Sequence, residues 1–501
     1  MIRATEDFLQ QIEVLAAQRR DEIRSTPDNV RITGTTYFVS NDGCDENDGL
    51  TPRTSWKTLN KVSMTHLQKG DGVLFRRGDL FRGFVMACSG VTYAAYGEGE
   101  KPKFYGWSRS LDDPALWVLV DREHHIWKWD EPILDCGTLV FNHGQAHCRK
   151  LIPSYRNGQF VCREDESKPF DMAQEMTCDL DLFCRYDATL STKPTKGEDF
   201  PIPALESDSL GELYLRCDQG NPAEVFQSIE ALTRRHMFRV GGHSNVTIDN
   251  LCLKYIGTHA IAAGGDCVRG LHVSNCEIGW VGGAIQHYAG TDPNYPQGRR
   301  GSVTRYGNAV EIYGGCDDYV VSNCYIYQIY DAGITHQVTT NGRNITMTNI
   351  HYLNNLIEHC VYSIEYFLEK TNGDTESYID GCEMSGNFLR FSGYGWGQQR
   401  HNTYTPAHIK GWSYENTARN YSIHDNIFDR AAYRMVHLVA KKAESCPVMY
   451  NNTYVQKYGH TLGQFGANET AEPYNISFDE RVNERIEEVL HDSGAKIYYL
   501  D

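Results

Sequence analysis

"DDYVVSNCYIYQIYDAGITHQ", residues 317–337, decides how this chain folds. Apolar residues alternate over three to five positions, an Asn marks a bend, alternation resumes, and a small residue opens one more short run. Period-two alternation over so few residues, with no helical stripe, indicates short strands. The same sentence recurs as "SNVTIDNLCLKYIGTHAIAAGG" (244–265), "RGLHVSNCEIGWVGGAIQHY" (269–288), "RNITMTNIHYLNNLIEHCVYSIEYF" (343–367), "ESYIDGCEMSGNFLRFSGYGWG" (376–397), "NYSIHDNIFDRAAYRMVHLVA" (420–440) and "CPVMYNNTYVQKYGHTLGQF" (446–465). The spacing is about 22–25 residues plus insertions, the mark of a stacked repeat.

A leucine-rich repeat would show a leucine ladder; here β-branched residues, Asn and Cys take its place. The predicted fold is therefore all-β, a right-handed parallel β-helix in which each coil adds two or three strands to stacked sheets. Asn suits the bends because it tolerates left-handed backbone and can hydrogen-bond to its counterpart on the next coil. Cys252, Cys276 and Cys324 recur at one place in the pattern and read as small side chains stacked in the core.

Outside the repeat the pattern changes. Residues 1–30 read as an amphipathic N-terminal helix, with Phe8, Ile12, Leu15 and Ile23 on one face and free to mediate association. Residues 31–104 read as the opening coils and cap of the solenoid, and 105–240 as a β-rich insertion walling one side. The main coils occupy 241–466, and 467–501 form a C-terminal helical cap. The run "DENDG" (45–49) hints at calcium but lacks the terminal Glu of a calcium loop, so a turn is expected.

With 501 residues, 41% hydrophobic and 12% aromatic, the chain can bury a large core. Its net charge of −17 weighs against nucleic acid or an anionic membrane as partner. Neither a secretion signal nor an apolar run of membrane-spanning length is visible, so a cytoplasmic location and reduced cysteines are expected. No zinc-type Cys/His spacing occurs, and neither metal nor cofactor is expected.

Aligning the coils on the small-residue-plus-apolar step gives one column: Gln286, Glu311, Thr335, Glu365 and His437. Equivalent residues on successive coils stack about 4.8 Å apart on one sheet face. Glu311 and Glu365 then lie two coils apart, on the order of 10 Å between backbones, with Asp331, His336 and Gln337 on the coil between. Neighbouring carboxylates raise one another's pKa, the condition that acid/base glycoside chemistry uses. Candidate substrate contacts on the same coils are Gln286, His287, Tyr313, His336, Gln337, Tyr366, Trp396, Gln398, Gln399 and Arg400.

The series "YGNAVEIYGG", "YDAGITHQ", "YSIEYF" and "GYGWGQQR" resembles a pattern shared by bacterial β-helical glycoside hydrolases of the pectate-lyase-like superfamily, among them fucosidases and xylanases. The resemblance covers about 300 residues, excluding the insertion. It implies Asp/Glu catalysis on the sheet face, by Glu311, Asp331 and Glu365 in this chain. The expected function is a glycoside hydrolase acting on an oligosaccharide, exo in mode. A polysaccharide lyase or epimerase, with Arg400 and Lys410 as its cations, is the alternative, as is a non-catalytic carbohydrate-binding solenoid. A homo-oligomer is compatible with either.

Overall fold

The repeat becomes a parallel β-helix in the computed structural model, which describes residues 1–156, 159–185, 210–288, 303–371, 373, 376–400, 405–414, 417–440, 445–467 and 474–501. A complete coil contributes three strands, as in Tyr325–Ile329, Ala332–Thr339 and Thr346–Leu353. The first joins an eleven-stranded parallel sheet; the other two extend the long ladders of the remaining faces. Strict period two aims alternate residues inward. Val310, Ile334, Ile364, Ile409 and Val436 pair in register and are fully buried. Each such side chain contributes about 1.5–3 kcal/mol on burial.

The bends carry a polar spine. Asn355, Asn387, Asn426 and Asn452 each donate their Nδ2 to the next member's side-chain oxygen at 2.9–3.1 Å, and the series ends on Asp492. The same oxygens accept the backbone N–H of the preceding coil's Asn. Register places Cys276 and Cys324 in this same column, below Asn355. Cys252 does not belong to it: Cys252 pairs with Glu277, so Leu251 holds the equivalent position. The sequence spacing was blind to this one-residue offset. All 16 cysteines are unpaired.

The N-terminal helix, Glu6–Arg24, lies along the eleven-stranded sheet instead of standing free for association. Ile12, Ala16 and Ile23 are buried against Tyr325, Leu356 and Phe388. Arg24 pairs with Glu277, Arg20 with Glu358, and Glu13 with Arg390 and Arg430, so the helix clamps successive coils. Leu15, expected on the packed face, is exposed. No helix of the described residues is long and apolar enough to cross a membrane.

Between the early and main coils, Trp117–Asp121, Ile126–Ile133, Arg149–Lys150, Asp181–Arg185 and Gly211–Arg216 form a separate five-stranded sheet, mainly antiparallel. The insertion is tied to the solenoid by Asp135, which accepts the Ile285 N–H at 2.6 Å. The C-terminal segment is not helical alone: after Val482–Arg485, the strand Lys496–Leu500 enters the eleven-stranded sheet and pairs with Ile2–Arg3. Asp45 accepts the N–H groups of Lys57 and Thr58 and the Thr58 hydroxyl, so the "DENDG" loop is a turn staple.

Candidate active site

Register defines the outward column on the strand that follows each bend. It runs Ala262, Glu311, Thr335, Glu365, Lys410, His437, Gln464. Three members differ from the sequence alignment, Gln464 being an added last rung. Lys410, in "AHIKGW", stands between Glu365 and His437 on a strand the alignment skipped. The place below Glu311 belongs to Ala262, because Ile285–Tyr288 pairs antiparallel with Val303–Arg305 and leaves the ladder. The side chains of Gln286 and His287 lie outside the described residues.

An outward sheet face normally meets water, yet Glu311, Asp331 and Glu365 are only 5–6% exposed. Carboxylates this buried are costly unless partnered, and each has its own partners. Glu311 accepts a hydrogen bond from Asn308 Nδ2 at 2.8 Å, lies 2.7 Å from His259 Nδ1 and is bonded by Gln337. The His259 ring stacks between His236 and Tyr306. Burial alone would push Glu311 up, but His259 and the two amides hold it below the usual carboxylate range.

Glu365 Oε1 accepts from Lys410 Nζ and from Trp412 Nε1, both at 2.9 Å. Trp412 is braced by Phe367, whose ring centre is 4.2 Å away. Asp331, in the bend before Ala332, contacts the Arg400 guanidinium. Burial pushes Asp331 up and the Glu365 charge adds to it; Arg400 and Lys410 oppose this without cancelling it, leaving Asp331 at about 6. Lys410 and Arg400 are in turn held charged, since Glu365 and Asp331 outweigh their burial. Tyr362 lies beneath both cations, 4.2 Å from Lys410 Nζ and 5.6 Å from the Arg400 guanidinium carbon.

Between the two glutamates, Thr335 is wholly buried and its Oγ1 has no hydrogen-bond partner; the Gln337 Oε1 beside Glu311 also has none. Buried polar atoms are rarely left so. These two mark where water or a hydroxylated ligand would bond. Asp331 and Glu311 are thus pushed in opposite directions, the first towards its protonated and the second towards its ionised form.

Several expected contacts lie elsewhere. His336 and Tyr366 point into the solenoid, because they sit one residue after the outward column. His336 is bonded between the Tyr352 and Tyr421 hydroxyls, stacks on Tyr366, and is pushed by burial to about 3. Trp396 is 1% exposed, packs on Tyr330 and donates Nε1 to the Gln328 carbonyl, so it fixes a loop instead of facing ligand. Gln399 bonds Lys150 and Cys148, clasping that loop to the insertion. Gln398 and Tyr313 are exposed, and Arg400 stays in the site through Asp331. Sequence reasoning missed His259, Asn308, Trp412 and Arg434. The recurring step "HAI", "NAV", "YSI", "AHI", "RMV" brings His259, Asn308 and Arg434 to the position three before the outward column, a signal present in the repeat.

A second cleft, of about 360 Å³, opens on the eleven-stranded sheet beside Arg24, Lys103 and Lys254. Lys103 is paired with Glu100, and Arg24 and Lys254 with Glu277, while Lys101 bonds Asn250; the cleft lies apart from Glu311, Asp331 and Glu365. Among the described residues, no group of three or more His, Cys, Asp or Glu is placed to hold a metal ion.

No protein-family model matches the chain, and no curated protein matches it in sequence. Among solved structures it is similar in fold to the complex of XylC with xylose, at 12% identity over 93% of this chain and 82% of that one, with a TM-score of 0.44. It is also similar to the GH136 lacto-N-biosidase from Eubacterium ramulus, at 12% identity over 99% and 72% of the two chains, TM-score 0.36. A third is the polygalacturonase from Erwinia carotovora ssp. carotovora, at 9% identity over 91% and 99%, TM-score 0.34.

Proposed function

We propose that this chain is a glycoside hydrolase acting on an oligosaccharide, with Asp331 as general acid and Glu365 as its ionised partner. The observation that carries the reading is the burial of three separately partnered carboxylates on one sheet face, around hydrogen-bonding atoms that lack partners. Asp331 holds its proton to about pH 6, as an acid for the leaving oxygen must, because burial and the Glu365 charge disfavour its ionised form. Glu365, fixed by Lys410 and Trp412, is oriented as base or nucleophile. Glu311, held ionised by His259, Asn308 and Gln337, sits two rungs away and supports charge developing on the sugar ring. The bonds from Gln399 to Lys150 and Cys148, which hold the insertion against the loop that carries Arg400, support a reading of exo action on short chains.

The lyase reading needs a free cation and a neutral-pH base directly beside the carboxylates at the cleavage point. Lys410 is instead tied to Glu365 and kept protonated, and Arg400 is tied to Asp331, which favours hydrolysis. Turnover of a panel of aryl glycosides and oligosaccharides, measured for the wild type and for Asp331→Asn, Glu365→Gln and Glu311→Gln, tests the assignment. Full activity in all three variants on a confirmed substrate would sink it.

A further inference from the structure

Among the described residues, two Lys/Arg cations touch the three carboxylates directly. Arg400 has Asp331 and Lys410 has Glu365. Arg434 is 8% exposed, and among the described residues no carboxylate meets it. Its partners are neutral: Nη1 donates to His437 Nδ1 at 2.6 Å and to Gln464 Oε1 at 2.7 Å, and the Tyr433 hydroxyl lies beside it. Its Nε is buried and makes no hydrogen bond. A charge so far out of water is normally paired. His437 cannot repel an incoming anion, since burial, Arg434 and Lys410 hold it neutral down to about pH 4.

Arg434 belongs to the same outward face. His437 follows Lys410 in the column, two rungs from Glu365, a separation of about 10 Å and so about two sugar units or fewer. Tyr433, 47% exposed with its ring 4.6 Å from the guanidinium carbon, offers a flat apolar surface next to the charge. An aromatic face beside a guanidinium suits a sugar ring carrying an oxyanion.

We propose that Arg434, with His437, Gln464 and Tyr433, forms a subsite for an anionic substituent of the sugar: a carboxylate, sulfate or phosphate. The subsite rests on the hydrolase reading only for its place beside the cleavage point. The chain's overall negative charge makes it a local recognition device, not a general attraction for polyanions.

Calorimetric titration of the full chain with glucuronate, galacturonate, glucose 6-sulfate and glucose 6-phosphate, against glucose and galactose, tests it. At least one acidic sugar is expected to bind roughly tenfold more tightly than its neutral counterpart at low ionic strength. That preference should vanish in Arg434→Gln and survive in part in Arg434→Lys, with thermal unfolding confirming that both variants fold. The identity of the preferred acid distinguishes carboxylate from sulfate and phosphate. Absence of any preference in the wild type, or its survival in Arg434→Gln, overturns the proposal. If both substitutions unfold the chain, the wild-type comparison alone decides. Acid binding with no hydrolysis of any glycoside in the panel would leave the subsite and remove the hydrolase; hydrolysis of neutral glycosides without acid preference would do the reverse.

Discussion

Glu311 and Glu365 stand on one outward column two rungs apart, with Thr335 alone between them. Their side chains are held by different partners, His259 and Asn308 on one, Lys410 and Trp412 on the other. The two glutamates share none of these partners, and the buried Thr335 hydroxyl between them has no hydrogen-bond partner.

Replacing the Glu365 carboxylate by an amide keeps an acceptor oxygen for Lys410 and Trp412 but removes the negative charge beside Asp331. Glu365→Gln is expected to lower kcat by roughly a hundredfold or more with the fold intact, the scale of a lost acid/base group. Steady-state kinetics with circular dichroism checks this.

The pH profile follows from Asp331. If its protonated form is the acid, activity falls as pH rises through about 6. Arg400 pulls Asp331 down, so Arg400→Gln should move this limb to higher pH and reduce activity. The sign for stability is the same: the folded pKa is raised from 3.8, so the contribution of Asp331 is fully present below that value and is lost as pH rises through about 6. A limb that stays put in Arg400→Gln would contradict the assignment of Asp331.

His336 gives the opposite slope. Its folded pKa of about 3 lies below the ordinary 6.5, so the unfolded chain binds its proton first. The stability is present above pH 6.5 and is lost on acidification towards 3, at up to about 1.4 kcal/mol per pH unit. Denaturant titration from neutral to acidic pH should show this slope in the wild type and a shallower one in His336→Gln.

The asparagine spine predicts a packing cost without a catalytic one. Asn387→Ala leaves the Asn355 amide and backbone N–H without an acceptor inside the solenoid. A loss of about 1–3 kcal/mol is expected, read as a shift in the urea midpoint with the slope unchanged.

The coils were legible because buried strands and Asn bends impose local patterns, and the Asn spine follows directly from those bends. The carboxylates were legible because one position of a repeat is one place in space. His336 and Tyr366 were misplaced for the same reason: alternation has period two, and a residue next to a site residue faces the core. Lys410 was legible only as a candidate lyase cation, not as a member of the column, and Trp412 escaped, because their coil follows a long loop that hid "AHIKGW" from an alignment made on spacing. His259 and Arg434 reach the site from three residues upstream, a place marked by the recurring step before each strand and not by alternation within it. The antiparallel departure of Ile285–Tyr288 depends on tertiary pairing with Val303–Arg305, which alternation within one segment does not encode.

One measurement bears most directly on the central claim: mass spectrometry of products formed in ¹⁸O-labelled water from the substrate that the glycoside panel identifies. The account predicts one labelled oxygen on the new reducing end, formed by wild type and lost with Asp331→Asn or Glu365→Gln. An unlabelled product bearing a new C4–C5 double bond would contradict it and make the carboxylate face the site of an elimination instead.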